Sequence, residues 1–276
     1  MSPTSRSASL SPLLVVSLLA LAGCGGHEPS GRPLVVFAAA SLEEAMTEVA
    51  ELHHEETGVE VALNTAGSNV LAQQVRAGAA ADVLVSADAR WIDDLAAAGL
   101  LDPESRRELL TNRLAVIAHP AAGLSLERLE DLGALRFDHL SLADPESVPA
   151  GRYARSLLRA TPSDGGTVWR DVSGRLVPAP DVRAALALVA ADKGAVGIVY
   201  RSDVVADRGV ELLLEIDREP DPPIRYVGAV VRRPPESVAA SERTADGEPG
   251  AMGFLDLLSS TAAREIFERH GFVPLD

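Results

Sequence analysis

The chain has 276 residues, 47% hydrophobic and 24% charged, with a mean hydropathy of +0.11; this is globular composition, and it excludes a disordered protein because apolar side chains suffice to offset the ordering entropy. The 22 glycines and 18 prolines follow no period, which excludes collagen-like and low-complexity chains. With 40 acidic residues against 25 basic ones, a formal charge of −15 and only 4% aromatics, the chain lacks the basic surface and stacking rings of a nucleic-acid binder.

In chain order, the first element is an export signal. Arg6 lies in a short polar lead, Leu13 to Ala22 is apolar apart from Ser17, and Leu21-Ala22-Gly23-Cys24 follows. About ten apolar residues, rising ~1.5 Å each, are too short to span a bilayer but suit a secretory signal. Cys24 is the single cysteine, so it makes no internal disulfide and builds no zinc or iron–sulfur site. Small residues before a cysteine resemble the lipobox of bacterial lipoprotein signal peptides. That resemblance implies removal of residues 1–23 and acylation of Cys24. Ordinary secretion is the alternative, because Ala20-Leu21-Ala22 is also an A-x-A site. The stretch from Gly25 to Gly31 reads as flexible, so residues 24–32 form a tether between the membrane and the folded part. Nothing later in the sequence resembles a transmembrane helix.

From Pro33 onward short apolar runs alternate with helical patterns. Leu34-Val35-Val36-Phe37 reads as a buried strand, and Leu42, Ala45, Met46 and Val49 recur at helical spacing before Gly58 ends the helix. A strand at Val59 to Leu63, a helix from Asn69 to Ala77, a strand at Asp82 to Val85 and a helix from Ala89 to Ala98 follow. The strand Arg113 to Ala118 opens a second series: a helix near Leu126–Leu132, a strand at His139 to Leu142 and a helix from Gly151 to Arg159. A helix from Asp181 to Ala191, the strand Gly197-Ile198-Val199-Tyr200 and a strand-like Arg225 to Val231 come next. Ser237 to Gly250 is polar, acidic and rich in Gly, Pro and Ser, as expected of a mobile loop. Helices over Met252–Ser259 and Ala262–His270 close the chain. Alternating strands and helices predict parallel sheets covered by helices, and so many strands predict two α/β lobes.

Four strand-to-helix turns share a chemistry. Ala38-Ala39-Ala40-Ser41 ends a strand in small residues with a serine at the expected N-cap, and Thr65-Ala66-Gly67-Ser68-Asn69 places a glycine where backbone approaches closely. Val148-Pro149-Ala150-Gly151 leaves backbone N–H groups uncovered, and Asp181 in Ala179-Pro180-Asp181-Val182-Arg183 is a capping aspartate. Helix N-termini carry unpaired N–H donors and about half a positive charge, so each can hold an anion. Capping alone also accounts for each turn, and Ser41 with Glu44 has the spacing of a capping box.

Five segments then occur in order: Phe37 to Leu42, Ala80 to Asp88, Asp144 to Tyr153, Asp181 to Leu186 and Gly197 to Tyr200. Over Leu34 to Phe272 the chain resembles the molybdate-binding components of bacterial ABC importers, which are type II periplasmic binding proteins. The resemblance implies a two-lobed α/β fold, each lobe a mainly parallel sheet flanked by helices, with the ligand cleft between the lobes. Lobe 1 would comprise residues 33–113 and 228–276 and lobe 2 residues 114–227, with crossovers near Ala115 and Ala229. It implies that Ser41 and Ser68 offer hydroxyl and backbone N–H to a tetrahedral oxyanion, Ala150 and Val182 their backbone N–H, and Tyr200 its phenolic O–H. The ligand would be molybdate or tungstate, bound as an oxyanion through these residues with no direct metal ligand and no cofactor. The partners implied are an ABC permease and, through the lipid, the membrane; the protein would act as a monomer. Neutral donors match an oxyanion that carries no proton, so sulfate is the same-fold alternative. Glu43 and Glu44, next to Ser41, must point away from the anion.

Other constellations lack their parts. His53-His54-Glu55-Glu56 are neighbours that do not converge on a helix, and His27, His119, His139 and His270 have no companions at ligand spacing. Asp82, Asp88, Asp93 and Asp94 read as strand-end and helix-face residues. There is no G-x-S-x-G elbow and no P-loop. A serine hydrolase using Ser41 or Ser68 would need a histidine, and none lies in the four turns. The expectation is a non-enzyme: a lipid-anchored, extracytoplasmic solute-binding protein.

Overall fold

Strand–helix alternation produces two sheets, and the chain passes through the first, builds the second and returns. The computed structural model describes residues 32–232 and 249–275; the signal peptide, Cys24, the tether before Arg32 and the Ser237-to-Gly250 loop up to residue 248 lie outside the described residues. Arg32, assigned to the tether, donates to both Asp82 carboxylate oxygens at 2.7 and 2.8 Å.

The first sheet begins with β1 (Leu34–Ala39), α1 (Glu43–Thr57), β2 (Val61–Ala66), α2 (Ser68–Arg76), β3 (Val83–Ser86), α3 (Ala89–Ala97) and β4 (Arg107–Thr111). The second contains β5 (Leu114–Ala118), β6 (His139–Ala143) and α4 (Pro149–Ala160), then a ribbon of β7 (Pro162–Ser163) and β8 (Gly166–Thr167). It continues through α5 (Val168–Val172), β9 (Leu176–Ala179), α6 (Val182–Ala191), β10 (Ala195–Tyr200), α7 (Arg201–Ala206) and β11 (Glu211–Ile216). The chain then returns as β12 (Tyr226–Val230), α8 (Pro249–Leu258), α9 (Thr261–Arg269) and β13 (Val273–Pro274).

Sheet order is β13-β4-β12-β3-β1-β2 in the first and β11-β5-β10-β6-β9 in the second. The fold class is that expected, α/β with two helix-flanked sheets, but the sheets are mixed and not mainly parallel. Strands β1, β2 and β3 are parallel neighbours, as are β6, β9 and β10, while β12, β4, β13, β5 and β11 join antiparallel. A parallel pair needs a crossover helix, and the strands that carry the chain between the sheets enter without one. The passages run through Asn112 and Arg113 and through residues 217–225, so Ala115 and Ala229 lie inside strands and not in the crossovers.

Period-two alternation distributes the core. In β1, Val36 and Ala38 face one side, toward Met46 and Val49 of α1, while Phe37 faces the other with Leu71, Val75, Ile92 and Leu95 of α2 and α3. Both faces are covered, which is why β1, β3 and β10 read as continuous apolar runs. Gly58, at φ 73°, ends α1 in the left-handed conformation that glycine adopts without strain. The pattern near Leu126–Leu132 becomes a 3-10 turn at Leu129–Gly133 and not an α-helix.

Candidate functional site

Residues of all four turns line one pocket between the sheets. After β1 the chain makes a 3-10 turn, Ala40–Leu42, before α1 begins, so Leu42 and not Ser41 precedes the helix. The Ser41–Glu44 capping box therefore does not form. Ser41 Oγ instead lies 2.9 Å from Tyr226 Oη, and Glu43 and Glu44 are exposed. Ser68 is the first residue of α2 and does not cap it either; its Oγ accepts from the Ala87 N–H at 3.1 Å, leaving its own proton free to donate.

On the second sheet, Val148 precedes α4 in extended conformation and Pro149 fills the first helical position. Proline carries no N–H, so the donors of this first turn begin at Ala150. A Cβ on Gly151 would sit 1.9 Å from the Ala143 carbonyl oxygen, so glycine lets α4 start directly against β6. Asp181 caps α6, its Oδ1 accepting from the Ala184 N–H at 2.8 Å, and Val182 opens the helix. The N–H groups of Ala150 and Val182 belong to first turns, where no intrahelical carbonyl reaches them.

Ser41, Ser68, Ala150, Val182 and Tyr200 all line one small, nearly filled pocket, walled between them by small residues such as Ala39, Ala87 and Pro149. Asp181 also lines it, an acidic group that the sequence marked only as a cap. No lysine or arginine is in the lining. Tyr200 is 1% exposed, and its hydroxyl has no hydrogen-bond partner among the described residues. Burial, reinforced by Tyr226, holds that phenol well above the ordinary range, so it keeps its proton and can donate.

A family model described as bacterial extracellular solute-binding protein matches residues 34–273. The chain belongs to this family. It is 36% identical over 267 residues to the molybdate-binding protein ModA of Escherichia coli, covering 94% of this chain and 96% of that one. Its fold is similar to the periplasmic molybdate-binding protein of Azotobacter vinelandii, with a TM-score of 0.72 at 20% identity over 88% of this chain and all of that one. The sulfate-binding protein SubI of Mycobacterium tuberculosis shares the fold at a TM-score of 0.69 and 17% identity, over 89% of this chain and 88% of the other.

In this solute-binding protein the two sheets are held together across the pocket. Arg183, beside Val182, pairs with Glu44, and Arg152 of α4 pairs with Asp88, the cap of α3. Tyr153 Oη donates to the Ala87 carbonyl at 3.3 Å, and Asn69 Nδ2 donates to Ser147 Oγ at 3.4 Å. Gly67 allows a close approach, since a Cβ there would lie 3.2 Å from the Pro180 carbonyl oxygen across the pocket. Behind the pocket, Asp203 Oδ2 accepts from the Tyr200 N–H at 3.0 Å, while Oδ1 lies 3.1 Å from Arg183 Nε at an angle too poor for a hydrogen bond. Burial pushes the Asp203 carboxyl up to about 7, against the pull of Arg183. Sequence reasoning missed Arg152, Arg183 and Asp203. Only Asp203 left a signal, lying three residues beyond Tyr200 at the spacing of a group that returns to a helix start. Of the carboxylates set aside, Asp82 takes Arg32 at the strand end, and His53 is buried edge-on to Phe254, at 5.3 Å between ring centres, while His54 is exposed. No helix among the described residues is long and apolar enough to cross a membrane, and no cluster of three or more metal-ligating side chains occurs among them.

Proposed function

We propose that the protein captures molybdate, and tungstate with it, outside the cytoplasm and delivers it to the permease of an ABC importer, without catalysing a reaction. The ligand residues are Ser41 and Ser68 through hydroxyl and backbone N–H, Ala150 and Val182 through backbone N–H, and Tyr200 through its phenol. Acylation of Cys24 anchors the chain, as the small residues before it imply, and the protein works as a monomer. The observation that carries the reading is the buried Tyr200 hydroxyl without a partner among the described residues, at the wall of a pocket that also holds first-turn N–H groups, two serines and Asp181, whose Oδ1 is taken by the Ala184 N–H. Backbone N–H groups have no complement for a proton on the ligand, and with the hydroxyls turned to donate and Asp181 Oδ1 engaged by its own helix the set favours an oxyanion with none. The 36% identity to a protein named for molybdate supports molybdate over sulfate.

Mechanically, each sheet supplies part of the donor set, so neither half alone surrounds the anion. Domain closure about the two crossovers brings the halves together. The pairs Arg183–Glu44 and Arg152–Asp88 then join the sheets beside the ligand and remove Glu44 and Asp88 as uncompensated negative neighbours. The formal charge of −15 opposes the approach of an anion, but salt screens it beyond about 8 Å at physiological ionic strength. Heating the protein with each anion tests the reading. Molybdate at about 100-fold excess over its Kd should stabilise by about 2.7 kcal/mol, and sulfate or phosphate at equal concentration should shift Tm little. An equal shift with sulfate would replace molybdate by sulfate as the ligand.

A further inference from the structure

Behind Ser41 runs a hydrogen-bonded line that reaches the passages between the sheets. Ser41 Oγ and Tyr226 Oη are 2.9 Å apart, and Tyr226 Oη accepts from Asn112 Nδ2 at 3.3 Å. Asn112 follows β4 directly in the first crossover, and Tyr226 is the first residue of β12, where the chain returns. Tyr226 is fully buried and Asn112 is 3% exposed, so water offers them little alternative.

Proton bookkeeping gives this line a direction. The Asn112 Oδ1 accepts from the Arg113 backbone N–H at 2.9 Å, and a backbone N–H can only donate, so the amide oxygen must face Arg113. The amide NH2 must then face Ser202 Oγ, at 2.9 Å, and Tyr226 Oη. An NH2 group also can only donate, so the Tyr226 oxygen receives. Burial keeps the Tyr226 phenol protonated, and among the described residues the acceptor in reach of that proton is Ser41 Oγ. Ser41 is thereby engaged as an acceptor from behind, and its own proton turns to the pocket.

We propose that Asn112 and Tyr226 form a one-way relay that commits Ser41 to donating into the pocket, and so act as positioning residues that select oxyanions bearing no proton. The inference rests on the reading of the pocket as an oxyanion site. Ser68 is committed in the same way by a backbone group, the Ala87 N–H, which no side-chain replacement removes. At Ser41 the commitment depends on two replaceable side chains.

The test titrates the full-length protein and two variants with molybdate and with inorganic phosphate at about pH 6, where phosphate carries protons. Asn112→Asp puts an acceptor in place of the donor: Tyr226 then donates to residue 112, and Ser41, no longer held as its acceptor, can turn its proton from the pocket to the Tyr226 oxygen and offer lone pairs to the ligand. Molybdate affinity should fall, by up to the roughly 10- to 150-fold of losing one donor to a charged acceptor, while phosphate affinity falls far less or rises. Tyr226→Phe keeps the ring and frees Ser41 to turn either way, so the molybdate-to-phosphate ratio should narrow by a smaller factor in the same direction. If both variants retain the wild-type ratio, whether affinity for the two anions drops together or not at all, the relay is refuted. If Asn112→Asp does not fold, Tyr226→Phe decides alone. A wild-type protein that fails to bind molybdate would instead overturn the reading of the pocket.

Discussion

The two walls of the pocket use the same local geometry and different chemistry. On the first sheet, Ser41 and Ser68 present hydroxyls, and each has its proton directed by a neighbour, Tyr226 or Ala87. On the second sheet, α4 and α6 present backbone N–H groups from Ala150 and Val182, whose side chains are apolar. A hydroxyl can accept as well as donate, so the first wall discriminates only because its protons are directed; a backbone N–H can only donate. Selectivity is therefore vulnerable to substitution on the first wall, while the second is fixed by helix starts that substitution hardly touches.

Replacing one residue on each wall exposes this difference most strongly. Ser68→Ala removes a donor to a charged acceptor, worth about 1.5–3 kcal/mol, and should weaken molybdate binding roughly 10- to 150-fold. It also strands the buried Ala87 N–H, so the ligand-free Tm should fall. Val182→Ala keeps its N–H, and the account expects affinity within about threefold of wild type in calorimetric titration, whatever the side chain's loss does to stability. Comparable affinity losses at the two positions would erase the contrast between the walls.

A pH series on Asp203→Asn probes the support beneath Tyr200. The Asp203 carboxyl is pushed up to about 7 by burial, so between about pH 4 and pH 7 the folded state holds a proton that the unfolded state has released. Its contribution to stability is then largest at low pH and is lost as pH rises through that window. Glu48, held low by its hydrogen bond to His270, and Glu215, held low by Arg113, act in the opposite sense, so the informative quantity is a difference. The Tm of Asp203→Asn minus that of wild type should climb by several degrees from pH 4 to pH 7 and then level off. A flat or falling difference would place the carboxylate's titration elsewhere.

The smallest expected effect belongs to the ion pair between the walls. Glu44 is half-exposed, and pairs of that kind contribute about 0.2–1 kcal/mol. Glu44→Gln should weaken molybdate binding by no more than about fivefold at low salt, with the gap closing near 1 M salt, where the screening length is about 3 Å. A loss that persists in high salt would mean that Glu44 acts on the pocket by something other than charge.

How much of this was legible in the sequence follows from the range of the interactions. The four turns carry local signals in small residues, Gly67, Pro149 and the Asp181 cap, and the structure brings all five candidate residues to one pocket. Continuous apolar runs mark β1, β3 and β10, but β4, with the sequence RELLT, and β11, with ELLLEI, include charged residues and show neither a continuous apolar run nor a clean alternation. Helices α5 and α7 span five and six residues, too few to show a period. The capping box at Ser41 failed because a 3-10 turn precedes α1. Tyr226 and Asn112 could not have been found from pattern, since Tyr226 reaches Ser41 across 185 residues and Asn112 across 114.

The central claim is that neutral donors from both sheets meet one oxyanion, and Tyr200 tests it most directly because its hydroxyl serves no other group among the described residues. Calorimetric titration of Tyr200→Phe with molybdate, beside wild type, should show affinity reduced roughly 10- to 150-fold. The ligand-free Tm should be nearly unchanged, since no protein partner is stranded. Wild-type affinity in the variant together with a lowered ligand-free Tm would contradict the account, making Tyr200 a packing residue and removing it from the pocket's donor set.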